Sequence, residues 1–177
     1  MRKTVLTYGL IAGCIVSVVM LGSMAFINEM CTSDWGMIIG YTTQIVAFMF
    51  IFVAVKKYRD REGKGAISFG KAFTIGLYIS LIASTMYVLS WMIDYHFFVP
   101  DFMDKYAAAS IEKMKAAGAS AAELDATAKQ MSQYKDLYKN PVLMALFTYV
   151  EILPTGLLAS LLAAAFLKRK PLNPIEA

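Results

Sequence analysis

Glu151 is the residue of this 177-residue chain whose position most suggests chemistry, because it is the only acid inside its long apolar segments. A charge at the centre of a bilayer costs about 2.5–3.5 kcal/mol, so such residues normally face other helices and have polar partners. Pro154 and Gly156 follow Glu151 within five residues. Pro154 cannot donate a backbone hydrogen bond to the Val150 carbonyl. The sequence therefore predicts a helix break or kink at Pro154 and Gly156, and transporters place broken helices beside their binding sites.

Polar side chains on the other apolar segments lie at a depth similar to that of Glu151. At 1.5 Å per residue, Glu151 lies roughly 15 Å into its segment from the end near Pro141. Counted from the same side of the membrane, Gln44, Ser84, Thr85 and Ser17 lie about 12–15 Å into theirs. We therefore predict one intramembrane polar layer from these five residues, with Gln44 as the nearest partner of the acid. Hydrogen bonds that lock the bundle are one interpretation of this layer, and a transport site is the other.

The segments that carry these residues are long enough to cross a membrane. About 20 apolar residues span the hydrocarbon core, and four segments qualify, at 4–27, 36–55, 72–93 and 142–167. Apolar residues make up 58% of the chain and charged residues 17%, against about 25% charged in soluble proteins. This composition excludes a disordered chain, a basic nucleic-acid-binding domain and an ordinary soluble enzyme. We predict an all-α membrane protein with four transmembrane helices in one domain, 1–177.

Basic residues predict the orientation of the chain. Eleven of the 17, including every arginine, lie before the first span, between the second and third, or after the fourth. The positive-inside rule then places both termini in the cytoplasm and residues 94–141 outside. Residues 11–14 also fit a lipoprotein cleavage box ending at Cys14, but the apolar run continues to Ile27, where a mature lipoprotein would become polar.

Residues 94–141 are too many for a bare loop and predict a helical hairpin. Asp101 can cap a first helix that runs to about Ala117, and Gly118 suits the position just beyond its end. Residues 120–123, Ser-Ala-Ala-Glu, form a capping box for a second helix, which Asn140 and Pro141 end. Both helices carry apolar stripes at helical spacing. These stripes pack on the rest of the protein in one interpretation and bind a partner or lipid in the other.

Other groups of chemically active residues are weaker candidates. Asp94, His96, Asp101 and Asp104 cluster near the outer end of the third span, but without a recognised metal-ligand spacing. Residues 65–71 match the spacing of a phosphate-binding loop only as far as its lysine, since Ala72 replaces the residue that would hold magnesium. We therefore expect no catalytic, cofactor or metal site. Anionic lipid head groups are the better-supported partner of the basic loop 56–71.

Several motifs together resemble a known family. They are Met-Ile-Ile-Gly-Tyr-Thr at 37–42, Ile-Ser-Phe-Gly-Lys-Ala-Phe at 67–73, Pro-Asp-Phe-Met-Asp-Lys-Tyr at 100–106, Tyr-Lys-Asn-Pro at 138–141 and Glu-Ile-Leu-Pro-Thr-Gly-Leu at 151–157. The set resembles the domain of unknown function 4199 family of small bacterial integral membrane proteins. The resemblance implies a four-helix bacterial membrane protein and carries over no catalytic residue.

The function predicted from these observations is structural or regulatory, without catalysis, in a bacterial inner membrane. A small transporter or channel subunit that uses Glu151 is the alternative. No nucleic acid is expected as a partner. The sequence identifies neither a protein partner nor an oligomeric state.

Overall fold

Six helices make up the described part of the chain, which in this computed structural model comprises residues 1–24 and 35–170. They are α1 (Arg2–Met24), α2 (Trp35–Arg61), α3 (Phe69–Phe97), α4 (Phe102–Ala116), α5 (Ala121–Tyr138) and α6 (Pro141–Leu167). The prediction of an all-helical protein is confirmed, since the described residues form no sheet beyond one isolated bridge. Residues 25–27 of the first predicted span and the first outer loop, with Cys31, lie outside the described residues.

Four of these helices are long and apolar enough to cross a membrane: α1, α2, α3 and α6. They are the four that the sequence predicts, although α2 continues to Arg61 rather than ending near residue 55. The added residues are mostly basic. A helix can continue beyond its apolar run, because its backbone hydrogen bonds join residues four apart and do not depend on apolar side chains.

The four long helices pack around α3, whose largest contacts are with α6 and α1. The central core contains Phe48, Ile51, Ile75, Ile79 and Ile152, each with at most 1% of its surface accessible. A second, smaller cluster joins Met20, Trp91 and Met144 near the hairpin.

The helical hairpin has the two elements that the sequence predicts. Gly118 lies between them with φ of +80°, a conformation that glycine adopts without strain. Ser120 Oγ accepts a hydrogen bond from the Glu123 backbone N–H, and the Glu123 carboxylate accepts one from Ser120 N, which completes the capping box. Asp101 precedes α4 as predicted, but its side chain forms no cap and instead pairs with Lys105 at 3.0 Å.

The opposite end of the bundle is closed by a short backbone bridge. Ile67 N donates to the Arg169 carbonyl at 3.0 Å, and Arg169 N donates to the Ile67 carbonyl at 2.9 Å. Arg59, which is largely buried, pairs with Asp60 at 2.7 Å and reaches the Leu167 carbonyl at 3.5 Å. These contacts hold the end of α6 against the segment that precedes α3.

Candidate functional site around Glu151

Glu151 lies at the edge of the packed face of α6. Its neighbours Thr148 and Ile152 are buried, whereas Glu151 as a residue is exposed. Its carboxyl group nevertheless lies near the side chains of two tyrosines, Tyr87 and Tyr138. The acid is therefore placed at the junction of α3, α6 and the end of α5.

Aromatic side chains continue from this junction toward the hairpin. Tyr95 lies 5.6 Å from Tyr138 and 5.9 Å from Trp91 between ring centroids, and Trp91 contacts Phe102 edge-on at 4.8 Å. Partial burial, and then the nearby charge of Glu151, raise the pKa of Tyr138 to about 12. The Tyr138 hydroxyl therefore stays protonated at neutral pH and remains a hydrogen-bond donor.

Close contacts between α3 and α6 set the level of Glu151 in the bundle. Ser80 and Ser160 are joined through their hydroxyls at 3.2 Å, and each lies against a glycine of the opposite helix, Gly156 and Gly76 respectively. These two contacts define an antiparallel register. Extended by one turn, the register places Ser84 level with Ile152, next to Glu151.

Helix α2 brings Gln44 to the same level. Its Phe48 lies against Gly156, and α2 and α6 run in parallel, so Gln44 lies one turn earlier, level with Ile152. The register thus supports a common depth for Gln44, Ser84 and Glu151. It does not produce the predicted partnership, because Gln44 Oε1 has no hydrogen-bond partner among the described residues.

No hydrogen bond between Glu151 and Gln44 is present among the described residues, so their pairing stays a prediction. Depth along a helix is readable from sequence, but the direction of a side chain around the helix depends on packing. Glu151 lies at the margin of the α6 face that contacts α3, and Gln44 is only 4% exposed inside the bundle. Tyr87 was missed because the predicted layer counted only residues at one depth, whereas a tyrosine side chain is long enough to reach a group at another.

The hydroxyls of two other members of the predicted layer, Thr85 and Ser17, form no hydrogen bond with Glu151 among the described residues. Thr85 donates to the Leu81 carbonyl at 2.7 Å and pairs with the Tyr149 hydroxyl at 2.7 Å. Ser17 is buried and its hydroxyl has no partner in the described part of the chain. Gly13 of α1 lies against Met86, so Ser17 falls level with residue 90, roughly 9 Å beyond Ser84.

At Pro154 and Gly156 the helix is not interrupted, because α6 is one helix from Pro141 to Leu167 with Pro154 inside it. The kink that the same two residues predict stays a prediction. A proline removes only one backbone donor, and neighbouring groups in a membrane bundle can compensate for the loss. Gly156 has a packing role instead: a Cβ there would lie 2.8 Å from Ser80 Cβ. The glycine that suggested a break is the residue that lets α3 and α6 approach.

Comparison with known proteins identifies a family for this chain. The family model described as "Protein of unknown function (DUF4199)" matches residues 7–169, which is nearly the whole chain. The chain belongs to the DUF4199 family. No curated protein and no solved structure matches this DUF4199 chain.

Among the remaining candidate residues of this DUF4199 protein, Asp104 and His96 have structural partners. Asp104 forms an ion pair with Lys135 across the hairpin, and the His96 ring contacts Phe97 edge-on at 4.8 Å. Asp94 is buried, and one of its carboxylate oxygens has no partner among the described residues. Within that part of the chain, no group of three or more His, Cys, Asp or Glu residues is arranged to hold a metal ion.

Proposed function

We propose that this DUF4199 protein is a structural or regulatory protein of a bacterial cytoplasmic membrane and has no catalytic activity. In this proposal both termini and the 56–71 loop are cytoplasmic, and the α4–α5 hairpin lies on the outer side. The distribution of basic residues supports the orientation. The four apolar helices and the family assignment support the membrane location.

The close contact between α3 and α6 is the observation that carries the non-transport interpretation. Gly76 and Gly156 let the two helices meet at the hydroxyls of Ser80 and Ser160, which have no accessible surface or almost none. Phe48 and Ile51 of α2 cover the same contact. A bundle that is close-packed in this way holds its helices in fixed positions, which suits a scaffold better than a protein that alternates between two openings.

The hairpin is the part of the molecule best suited to contact a partner under this proposal. Helix α5 has no buried residue, and the apolar stripe that includes Leu124 and Met131 is only half-covered. A photo-crosslinking amino acid at Met131 should give a discrete adduct with another protein in intact cells. The same group at Lys129, an exposed position on the same helix, serves as the control. Equal, diffuse labelling from both positions would contradict a partner-binding role.

A proton-linked transporter or channel subunit is the second candidate, favoured by the grouping of Glu151, Tyr87 and Tyr138. Ionisable residues within transmembrane segments mark proton relays in pumps and transporters, and Glu151 is such a residue. The two candidate functions predict different results in a proton-flux assay on proteoliposomes that contain a pH-sensitive dye. The scaffold proposal predicts that wild-type protein dissipates an imposed pH gradient no faster than Glu151→Gln does.

The transporter alternative predicts the opposite result in that assay. Wild-type protein would increase the flux, Glu151→Gln would abolish it, and Glu62→Gln would leave it unchanged. Glu62 is the control because it lies beyond the end of α2, where it binds the amino terminus. A flux with this pattern would overturn the scaffold proposal.

A further inference from the structure

An open groove of about 610 Å³ lies at the closed end of the bundle, between the segment that precedes α3 and the segment that follows α6. Residues 66–69 form one wall and residues 168–170 the other. The two-way backbone bridge between Ile67 and Arg169 fixes the distance between these walls. The groove is therefore a built feature of the fold rather than a gap between two loose segments.

Positive charge is concentrated on one wall of this groove. Lys168, Arg169 and Lys170 are consecutive and exposed. No carboxylate of the described residues forms a salt bridge with them, whereas the nearby Asp60 and Glu62 pair with Arg59 and with the amino terminus. The groove thus carries three basic side chains that no described acid neutralises by direct contact.

The opposite wall offers both polar and apolar contacts. It leads into the first turn of α3, where Ser68 is the N-cap, and the N-terminus of a helix favours an anion. Phe69 is 42% exposed and stacks on Phe73 at 6.4 Å between ring centroids. The groove therefore offers basic side chains beside an exposed aromatic ring, at the end of two membrane-spanning helices. This arrangement suits a phospholipid, whose phosphate and acyl chain meet near the membrane surface.

We infer that the groove binds the phosphate of an anionic phospholipid, with Lys168 and Lys170 as its main electrostatic contacts and Phe69 against the first part of the acyl chain. The inference rests on the membrane location in the proposed function but not on its orientation or on the absence of transport. It goes beyond a general attraction of the 56–71 loop to anionic lipid, because it assigns a composite site that includes the end of α6.

Thermal unfolding of the purified full chain in a neutral detergent tests this inference, because a ligand that binds the folded state raises the unfolding temperature. The probe is dioctanoyl phosphatidylglycerol, and dioctanoyl phosphatidylcholine is the zwitterionic comparison. We expect stabilisation by the first lipid only. The double variant Lys168→Gln with Lys170→Gln should bind this lipid about 30-fold more weakly. This factor corresponds to a loss of about 1 kcal/mol for each of the two basic residues.

A variant with the same net charge serves as the matched control. Lys56 and Lys64 are exposed basic residues at the same end of the bundle that do not line the groove. Lys56→Gln with Lys64→Gln should retain binding within about threefold. Equal weakening in both double variants would show diffuse attraction and overturn the site. Equal stabilisation by inorganic phosphate would show a simple anion site and overturn the lipid assignment. The flux measured in proteoliposomes tests the proposed function and not this lipid site, so the two can fail separately.

Discussion

The contact between α3 and α6 can be tested by adding a single methyl group at a glycine. An alanine Cβ at position 76 would lie 2.7 Å from Ser160 Cβ, and one at position 156 would lie 2.8 Å from Ser80 Cβ. Both distances are shorter than carbon atoms tolerate, and the obstructing atoms are next to the backbone rather than at the end of a flexible side chain. The helices must therefore separate to accept either alanine.

The expected cost follows from two opposing effects. Overpacking a well-packed core costs about 1–3 kcal/mol, whereas replacing glycine by alanine inside a helix gains about 1 kcal/mol. Gly40 of α2 isolates the second effect, because a Cβ there would have no neighbour within 4 Å. Gly76→Ala and Gly156→Ala should therefore be less stable than Gly40→Ala by about 1–3 kcal/mol.

The measurement is the free energy of unfolding in a mild detergent, followed by circular dichroism during denaturant titration. A compensating variant sharpens the test, since Ser160→Gly removes the atoms that Gly76→Ala would meet. The double variant should recover part of the loss, although it also loses the Ser80–Ser160 hydrogen bond. If Gly76→Ala and Gly156→Ala both unfold like Gly40→Ala, the packing register of α3 and α6 is wrong.

Three further predictions concern the hairpin and the acid. Ser120→Ala should lower the stability of the hairpin by about 0.5–2 kcal/mol, measured by hydrogen exchange in α5, and an unchanged exchange rate would exclude the capping box. The pKa of Glu123 is lowered by its hydrogen bonds from Ser120, so this contribution is present above the ordinary value of 4.5 and is lost as pH falls through the lower, folded-state pKa. Acidification should therefore lower the protection factors of α5, which are corrected for the intrinsic pH dependence of exchange, more in wild type than in Glu123→Gln, which keeps an acceptor that does not titrate. Glu151→Gln should keep the polar contact with Tyr87 and unfold like wild type, whereas Glu151→Ala should lose about 1 kcal/mol. Equal stability of the two variants would show that the contact with Tyr87 is unimportant.

The sequence predicts those parts of the fold that depend on local rules. Apolar length identifies the four long helices, and the hairpin turn follows from Gly118 and from the Ser120–Glu123 box. These features depend on residues close together in the chain, so no tertiary contact has to be known in advance.

The candidate site is less predictable, because it depends on rotations between helices. The common depth of Gln44, Ser84 and Glu151 agrees with simple counting along each helix. Their partners cannot be counted in this way, because the direction in which a side chain points rotates by about 100° around the helix with each residue. The role of Gly156 shows the same limit: beside Pro154 it suggests a break, and only the position of Ser80 reveals that it is a packing contact.

The most direct test of the account is the sidedness of two loops. In a variant without Cys14 and Cys31, one new cysteine is introduced by Ala122→Cys in the hairpin or by Lys64→Cys in the loop between α2 and α3, both of which are exposed positions. A membrane-impermeant maleimide should label the hairpin cysteine in intact cells and the loop cysteine only after permeabilisation. Labelling of both cysteines from the same side, or the reverse pattern, would contradict the four-span bundle with its hairpin outside.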